Sequence, residues 1–368
     1  MPWHGEAGAS RMRIAIDARE ITGRPTGVGR YLSQILAAWQ ELPGASAHEF
    51  ILCAPEQVTL PGSGTLQVSS LSASGHGTTW EQFALPRLVR KAAADVLFAP
   101  AYTAPLRCPV PVVLTIHDVS FVSHPEWFSW REGLRRRVLT RMSAGRAARV
   151  LAQSNFSKRE AVKYLGLDQS RVDVIYLGTT TLRTDAPREP LVLYVGSLFN
   201  RRHIPELIDG FALLAARLPT ARLEIVGDNR TLPAIDVDAL IARSGVSDRI
   251  RARHYVSDAE LSSLYARASV FAFLSEYEGF GLTPLEAMAA GIPVAVLDTD
   301  VAREIYGPAA AYLERPDPSL IAATLERLLV DDHERARLLD AGAAQVERYS
   351  WRECAHRTLQ VLLACTAR

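Results

Sequence analysis

Short apolar runs recur along the chain, and the stretches between them carry apolar residues at helical spacing. Short runs of this kind predict strands that are buried on both faces, whereas a period of about 3.6 residues predicts helices. Strands that alternate with helices predict an α/β fold built on parallel, doubly wound sheets. The predicted strands are residues 12–18, 49–55, 66–71, 95–100, 110–117, 149–154, 173–177, 190–196, 222–227, 249–256, 270–274, 293–297 and 311–314.

Residues 179–190 interrupt this pattern, because they lack apolar periodicity and contain two prolines. Such a composition predicts a linker between two domains, for which a chain of 368 residues is long enough. We therefore predict one doubly wound domain over residues 12–180, a second over residues 190–349, and a final helix within residues 350–368. Residues 1–11 precede the first strand and are left out of the fold prediction.

Composition narrows the function classes. The formal net charge is +1 at pH 7, which argues against a nucleic-acid-binding protein. Four widely separated cysteines lack metal-site spacing, so we expect reduced thiols in a cytoplasmic protein: Cys53, Cys108, Cys354 and Cys365. No apolar run approaches the roughly 20 residues that span a bilayer, and residues 1–11 lack the apolar segment of a signal peptide.

The near-neutral total conceals a basic first half. Residues 1–182 contain 20 Lys and Arg against 14 Asp and Glu, whereas residues 183–368 contain 21 against 26. Seven arginines lie in residues 131–149 against the single acid Glu132, and four apolar residues stand among them at near-helical spacing: Leu134, Val138, Leu139 and Met142. Because that apolar side is modest, we favour a solvated face whose arginine stems cover the core. The alternative is peripheral contact with an anionic membrane surface, at its inner face.

A glycine-rich loop connects the predicted strand 270–274 to a helix that we expect to begin at Thr283. Two carboxylates, Glu278 and Glu286, bracket this loop with seven residues between them. Ligands bind beyond the carboxyl ends of strands in such sheets, and a helix N-terminus favours anions. Glu286 also fits a capping box with Thr283 at the N-cap, and taken alone it is better explained as a cap than as a ligand.

Two adjacent arginines, Arg201 and Arg202, follow the predicted strand 190–196 at the point where the sheet opens into a cleft. The guanidinium group carries a permanent charge and a fork of donors, which suits a diphosphate. The weaker alternative is that the two arginines are ordinary solvent-exposed residues without a ligand.

The first half offers three further candidates. Gly27 and Gly29 belong to a strand–glycine loop–helix arrangement that can cradle a phosphate, although a plain tight turn explains them equally well. His117 ends a predicted strand, where it is either a ligand-site residue or a structural histidine. Asp118 either orients that histidine or is a turn residue.

Together these motifs resemble the family-four retaining glycosyltransferases, which have the GT-B fold of two Rossmann-like domains facing a cleft. The resemblance covers nearly all of residues 12–364 and is carried by the arginine pair, by residues 255–258 (Tyr-Val-Ser-Asp) and by the Glu278–Glu286 spacing. The chain departs from the family's Arg-Lys-Asn pattern, because Arg202 and His203 stand in the last two positions. The first half, with residues 17–31 and 115–118, looks most like bacterial mannosyltransferases of this family.

The resemblance implies that residues 12–180 bind the acceptor and residues 190–349 bind the sugar-nucleotide donor, with the final helix packing back toward the first domain. It implies that Arg201, Arg202 and Glu278 are catalytic together with His117, which faces the sugar. The implied donor-binding residues are Gly27, Gly29, Arg201, Arg202, Tyr255, Val256, Glu278, Gly279, Phe280, Gly281, Leu282 and Glu286. In this scheme Glu278 binds sugar hydroxyls, Glu286 binds the ribose, and the backbone at Tyr255 and Val256 receives the base.

The implied activity is transfer of a hexosyl group, with GDP-mannose as the best donor, to a hydroxyl of a glycan or lipid-linked acceptor in polysaccharide biosynthesis. The acceptor hydroxyl attacks from the front face, as is proposed for the family. No Asp-x-Asp metal motif is present, so we expect no metal and no cofactor. The alternatives are a UDP- or dTDP-sugar donor, a sugar-nucleotide 2-epimerase on the same fold, and a non-catalytic nucleotide-sugar-binding protein.

Overall fold

Two parallel β-sheets form the framework of the protein. The computed structural model describes residues 11–23, 27–60, 66–180 and 187–366. Residues 1–10, residues 24–26 of the predicted glycine loop, residues 61–65, residues 181–186 of the predicted linker and residues 367–368 lie outside the described residues.

The first sheet has seven strands in the order β3-β2-β1-β4-β5-β6-β7. Its strands are β1 (Arg13–Asp17), β2 (Glu49–Ala54), β3 (Gln67–Ser72), β4 (Val96–Ala99), β5 (Val112–Ile116), β6 (Arg149–Ala152) and β7 (Val172–Val174). The second sheet has six strands in the order β10-β9-β8-β11-β12-β13. Its strands are β8 (Leu191–Val195), β9 (Arg222–Val226), β10 (Ile250–Arg253), β11 (Val270–Phe273), β12 (Val294–Leu297) and β13 (Ala310–Leu313).

Helices connect the strands and cover the sheets. The α-helices are α1 (Gly27–Glu41), α2 (Gly77–Thr79), α3 (Leu85–Lys91), α4 (Ser120–Ser123), α5 (Trp130–Arg146), α6 (Asn155–Leu165), α7 (Ile204–Arg217), α8 (Val237–Arg243), α9 (Asp258–Arg267), α10 (Leu282–Ala289), α11 (Asp300–Tyr306), α12 (Pro318–Val330), α13 (Asp332–Val346) and α14 (Trp351–Ala364). Short 3₁₀ turns add Arg19–Ile21, Ala45–Ala47, Pro125–Trp127, Gln169–Arg171, Asn200–Arg202, Ser247–Arg249 and Gly307–Ala309, and a π-helical turn spans Trp80–Ala84.

The central strands are buried on both faces, as their continuous apolar runs predict. In β1, for example, Ile14 and Ile16 belong to one core cluster and Ala15 belongs to the cluster on the opposite face of the sheet. Every pairing between the described strands is parallel, so each connection must return the chain to the same end of the sheet, and helices make most of these crossovers. The prediction of an α/β protein with two doubly wound sheets is confirmed.

Some element boundaries differ from the predictions. The strand predicted over residues 249–256 ends at Arg253, so Tyr255 and Val256 lie in the connection to α9. Helix α11 was not predicted, although Thr299 provides a regular N-cap whose side chain accepts a hydrogen bond from the Ala302 N–H. Its seven residues are too few to give a clear helical period.

The last helix, α14, packs against α1 of the first domain, where the Trp39 indole donates a 2.8 Å hydrogen bond to the Ala355 carbonyl oxygen.

In each sheet the order of strands reverses at one pair of neighbours, β1 and β4 in the first and β8 and β11 in the second. Loops that leave such a pair diverge and open a crevice where ligands bind. The domain boundaries themselves remain predictions.

Candidate active site

The candidate residues of the second domain follow β8 and β11, the two strands at which the order of that sheet reverses. Arg201 and Arg202 lie in the 3₁₀ turn after β8, and Glu278 lies in the loop between β11 and α10. Because the two strands are neighbours, their loops meet at the carboxyl edge of the sheet. The structure therefore brings Arg201, Arg202 and Glu278 together in one crevice, as the sequence predicted.

Arg202 and Glu278 form a mostly buried ion pair. Nη2 and Nε of Arg202 lie 2.7 and 2.9 Å from Oε1 of Glu278, and the Ser275 hydroxyl donates to the same oxygen at 2.8 Å. Oε2 of Glu278 accepts no hydrogen bond from the described residues, so one carboxylate oxygen remains available to a ligand. Burial opposes the charge of Arg202, but the Glu278 carboxylate outweighs it and raises the pKa of the guanidinium.

Arg201 contacts the first domain. Its guanidinium lies 4.5 Å from the ring centre of Phe199 and 5.5 Å from that of Trp127, a first-domain residue. The side chain is buried, and its Nε has no hydrogen-bond partner among the described residues. Arg201 thus lies between the domains with a buried N–H donor that has no partner among the described residues.

The charge of Arg201 acts on Asp118 across the cleft. Burial raises the pKa of the Asp118 carboxyl, but Arg201 and hydrogen bonds from Ser120 outweigh burial and hold that pKa below its usual range. The Tyr102 hydroxyl donates a further hydrogen bond of 3.0 Å to Asp118. Asp118 is therefore an ionised partner for the second domain, and its own side-chain bonds to Ser120 also make it a turn residue.

Helix α10 begins one residue earlier than predicted, and the predicted capping box is wrong. Gly281 occupies the N-cap position with a left-handed φ of 85°, and no side chain caps the helix. Thr283 and Glu286 therefore lie inside the helix, so Glu286 is released from the capping role that the sequence favoured. A helix N-terminus with no side-chain cap offers its first N–H groups to an anion.

The loop before α10 tolerates only glycine at two positions. A Cβ atom on Gly279 would overlap the carbonyl oxygen of His117, and one on Gly281 would overlap the Tyr306 hydroxyl. The hydroxyls of Ser154 and Ser157 in the first domain both donate to the Gly279 carbonyl, at 2.6 and 2.8 Å. The same loop that carries Glu278 is therefore a main contact between the two domains.

Glu286 lies at the side of the cleft, half-buried on the first turns of α10. Burial raises the pKa of its carboxyl above the ordinary value, and the nearby Arg30 and Tyr265 offset this only in part. Arg30 is an exposed residue of α1 in the first domain, and the sequence analysis did not select it. The sequence feature that could have identified Arg30 is its position directly after the predicted glycine loop.

His117 is held by its own domain on both sides of the ring. Its Nε2 donates to the Pro100 carbonyl oxygen at 2.6 Å, and its Nδ1 accepts from the Gln153 amide. Burial lowers the pKa of the imidazole, and these hydrogen bonds do not fully compensate, so the ring is neutral at pH 7. The predicted contact of His117 with a sugar stays a prediction, and the geometry leaves the ring no nitrogen for proton transfer.

Gly27 and Gly29 occupy the first turn of α1 rather than a loop. The glycine-loop prediction was therefore displaced by a few residues, because glycine is a poor helix former and signals a turn. Tyr255 is exposed and Val256 is buried after β10, at the edge of the sheet. Their predicted part in binding a base stays a prediction.

Sequence reasoning missed several residues that join the two halves of the cleft. Glu304 in α11 accepts hydrogen bonds from the backbone N–H groups of Asn155 and Phe156, at 2.6 and 2.9 Å, and so caps α6 of the other domain. The ring centre of Trp127 in the first domain lies 6.0 Å from that of Tyr277 in the second. These contacts join distant parts of the chain, so no local pattern announces them.

Two negative findings concern the described part of the chain. No three histidine, cysteine, aspartate or glutamate side chains within it are grouped so as to hold a metal ion. No helix within the described ranges is long and apolar enough to cross a lipid bilayer. The expectation of transfer without a metal or cofactor is untested and remains a prediction.

The fold and the charged crevice are typical of α/β proteins that bind a phosphorylated ligand between doubly wound domains. Two family models match the chain: "Glycosyl transferases group 1" matches residues 183–345, and "Glycosyltransferase Family 4" matches residues 25–183. The chain belongs to the family-4 glycosyltransferases, and the resemblance read from its motifs is confirmed.

Curated relatives and solved structures agree with this assignment. The chain is 28% identical over 263 residues to O-antigen chain mannosyltransferase B of Escherichia coli, which covers 67% of this chain and 68% of that protein. It is 31% identical over 262 residues to a GDP-mannose:cellobiosyl-diphosphopolyprenol alpha-mannosyltransferase of Xanthomonas oryzae. That match covers 67% of this chain and 66% of that protein. Anabaena HepE, solved with UDP and glucose, superposes with a TM-score of 0.74 at 20% identity over 96% of this chain and 100% of that one. The predicted GT-B fold is confirmed.

Proposed function

We propose that this glycosyltransferase moves a mannosyl group from GDP-mannose to a hydroxyl of a glycan or lipid-linked acceptor, with retention of configuration. The observation that carries the proposal is the Arg202–Glu278 ion pair, which lies beside the uncapped start of α10 where the strand order reverses. The names of two relatives, an O-antigen mannosyltransferase and a GDP-mannose-dependent enzyme, support mannose as the sugar.

The diphosphate is the part of the donor that these residues suit best. Arg202 lies in the crevice bonded to Glu278 and to the Ser197 carbonyl oxygen, Arg201 has an Nε without a partner among the described residues, and no side chain caps the first N–H groups of α10. Fork-shaped guanidinium donors and a helix N-terminus both favour phosphate oxygens. Donors fixed in advance stabilise the charge that develops as the diphosphate leaves, which is often the largest single contribution to catalysis.

In this proposal the sugar and the ribose are bound by two different carboxylates, those of Glu278 and Glu286. Glu278 keeps Oε2 available while Oε1 holds Arg202 and Ser275, so one side chain can accept a sugar hydroxyl and remain tied to the phosphate-binding arginine. Glu286 has no capping duty and lies further along α10, where it can accept hydrogen bonds from the ribose hydroxyls. The raised pKa of Glu286 means that its buried carboxylate gains most from such donors.

The chemical step that we propose is front-face attack by the acceptor hydroxyl. The bond between the anomeric carbon and the diphosphate oxygen breaks while the acceptor oxygen bonds to the same face of the sugar. The acceptor proton passes to the departing phosphate oxygen, whose charge Arg201 and Arg202 stabilise. His117 takes no proton in this scheme, because both of its nitrogens are engaged and its pKa is lowered.

A donor screen tests the proposal. Thermal melts are recorded in EDTA with GDP-mannose, UDP-glucose and dTDP-glucose, and with GDP alone. Saturation at 100 times the Kd should stabilise the protein by about 3 kcal/mol with the correct donor. GDP-mannose is expected to give the largest shift, followed by transfer to an acceptor with the anomeric configuration retained in the product NMR spectrum. A larger shift with UDP-glucose would overturn the choice of donor.

A second measurement separates transferase from epimerase. GDP-mannose is incubated with the protein and no acceptor, and the sugar nucleotide is recovered and analysed by NMR. A transferase returns the donor unchanged or slowly hydrolysed, whereas a 2-epimerase returns an isomeric sugar nucleotide. Loss of all activity in EDTA with recovery on adding Mg²⁺ would overturn the expectation of metal-independent transfer.

A further inference from the structure

Helix α5 turns its large apolar side chains toward solvent. Trp130 is 73% exposed, Leu134 is 50% exposed, Val138 is 45% exposed and Met142 is 37% exposed. Each follows the previous one after four residues, and residues four apart lie on the same side of a helix. The four side chains therefore form one apolar stripe along the 17-residue helix.

The face that α5 buries is made of small or polar residues. They are Gly133, Thr140, Ser143 and Ala144. A helix on the surface of a globular protein normally buries its large apolar residues and exposes its polar ones. In α5 this arrangement is reversed, so its solvent-facing side carries large apolar side chains beside the arginines, while the favoured interpretation of residues 131–149 as a solvated face stays a prediction. An apolar stripe of this kind marks an interaction surface.

The charges around the stripe are almost all positive. Glu132 is the one acid of the helix, and it is already bound by Arg135 at 3.0 Å and Arg136 at 2.6 Å. Four exposed arginines of α5 form no ion pair within the described residues: Arg131, Arg137, Arg141 and Arg146. At about 100° per residue, Arg137 and Arg141 lie along one edge of the stripe and Arg131 lies within its other edge. The guanidinium of Arg131 lies 5.2 Å from the ring centre of Trp130.

We propose that α5 docks in the plane of an anionic lipid surface. The stripe of Trp130, Leu134, Val138 and Met142 inserts at the boundary between headgroups and acyl chains, and the unpaired arginines contact the lipid phosphates. An amphipathic helix with a basic border and an aromatic residue on its apolar side binds such a surface through buried apolar area and electrostatic attraction together.

The charge of the helix argues against a second copy of this chain as the occupant. In a symmetric dimer the same patch faces itself, so α5 would bring arginines against arginines around the shared stripe. Anionic headgroups instead supply the negative charge that the helix itself lacks. The docking surface therefore fits a lipid phosphate better than it fits its own copy.

The location of α5 connects this surface to the crevice. Trp127, three residues before the helix, lies over the guanidinium of Arg201. A docked α5 therefore brings the mouth of the crevice close to the lipid headgroups. That arrangement suits a lipid-linked acceptor, a step that rests on the proposed function, whereas the docking itself does not.

Vesicle flotation tests the docking directly. The full chain is mixed with phosphatidylcholine vesicles, with and without phosphatidylglycerol, at low and high salt. We expect flotation with the anionic vesicles at low salt, and weaker flotation at high salt because ions screen the attraction. Arg137→Gln/Arg141→Gln should weaken the affinity by about fivefold for each arginine. Trp130→Ser/Leu134→Ser should weaken it by about tenfold or more.

Matched controls come from exposed residues of the second domain. Leu213→Ser/Val330→Ser removes two exposed apolar residues, and Arg222→Gln/Arg327→Gln removes two exposed arginines. Both controls should float like the unchanged protein, and equal losses in controls and α5 variants would overturn the proposal. So would the absence of flotation with anionic vesicles, or a dimer in sedimentation that the α5 variants dissociate. Donor thermal shifts are measured on the same variants, and shifts that persist when flotation fails leave the proposed function standing.

Discussion

The two domains present their site residues at similar strand ends, yet they satisfy those residues differently. In the second domain, Arg202 and Glu278 satisfy each other and keep unused capacity, since Oε2 of Glu278 accepts no bond from the described residues. In the first domain, His117 has both ring nitrogens occupied by Pro100 and Gln153. One side of the crevice is charged and available, and the other is neutral and internally bonded.

This difference assigns different work to the two sides. A charged pair that retains an open oxygen can exchange partners when an anionic ligand arrives, so we propose that the second domain supplies the electrostatic part of catalysis. A neutral, fully bonded histidine shapes the wall of the crevice and supports the Gly279 loop, whose carbonyl oxygen is held by Ser154 and Ser157. Substitutions should therefore affect turnover most in the second domain and affect stability or closure most in the first.

Replacement of Arg202 is the strongest test of the charged side. Arg202→Ala removes the cation beside the departing diphosphate, and we expect kcat/KM to fall by about 10²- to 10³-fold. The control is Arg202→Lys, which keeps the charge and matches the family's lysine, and it should lose about tenfold or less. Because Arg202→Ala also leaves Glu278 unpaired, at a cost of about 3–5 kcal/mol, melting curves must show that both variants are folded. Nearly full activity in folded Arg202→Ala would show that the charged side is misassigned.

A methyl group at Gly279 tests whether the two sides must touch. Its Cβ would overlap the carbonyl oxygen of His117, so the loop or the domain contact has to shift. We expect Gly279→Ala to lower kcat/KM by about tenfold or more, because small misplacements of binding groups are costly. Gly145→Ala is the control, since no atom lies within 4 Å of its added Cβ, and it should be silent or slightly stabilising. Equal kcat/KM values for the two variants would show that the close contact at Gly279 does not matter for activity.

The neutral side has a pH signature. Burial lowers the pKa of His117 below its ordinary value of 6.5, so the unfolded chain binds a proton more readily than the folded protein does. The free energy of unfolding should therefore fall as the pH drops below 6.5, and His117→Gln should flatten that part of the profile. Urea titrations between pH 7.5 and 5 measure it. We expect only a few-fold change in kcat, and a loss as large as that of Arg202→Ala would restore His117 to the chemistry.

The smallest expected effect is at Glu304, which caps α6 across the crevice. Glu304→Gln keeps the shape but removes the charge that faces the N–H groups of Asn155 and Phe156. A charge at a helix N-terminus is worth about 0.3–1 kcal/mol, so we expect a loss of stability of that size and little change in kcat. Glu326→Gln is the control, because its 2.9 Å ion pair with Arg217 is at the surface and Glu326 lies beyond the first turn of α12. A larger effect from the control would contradict the capping role.

The sequence predicted the parallel sheets and the charged side of the crevice for one physical reason. Buried strands, glycines and paired charges leave local patterns, and Arg201, Arg202 and Glu278 follow such strands directly. The capping role of Glu286 was predicted wrongly. Thr283 and Pro284 match the sequence pattern of a helix start, but in the structure the N-cap is Gly281, in a left-handed conformation. Glu304, Trp127 and Gln153 act on residues far away in the chain, and the reversed face of α5 depends on which side of the helix meets the core. Neither kind of information is present in a local pattern.

The central claim is that Glu278 holds the sugar while the arginines and the start of α10 hold the diphosphate. Isothermal titration of GDP and of GDP-mannose, in EDTA, with the unchanged protein and with Glu278→Gln, tests it most directly. The unchanged protein should bind GDP-mannose more tightly than GDP, and the variant should bind GDP nearly as before but lose the additional affinity for the sugar. A variant that keeps the full preference for GDP-mannose, and its turnover, would contradict the account.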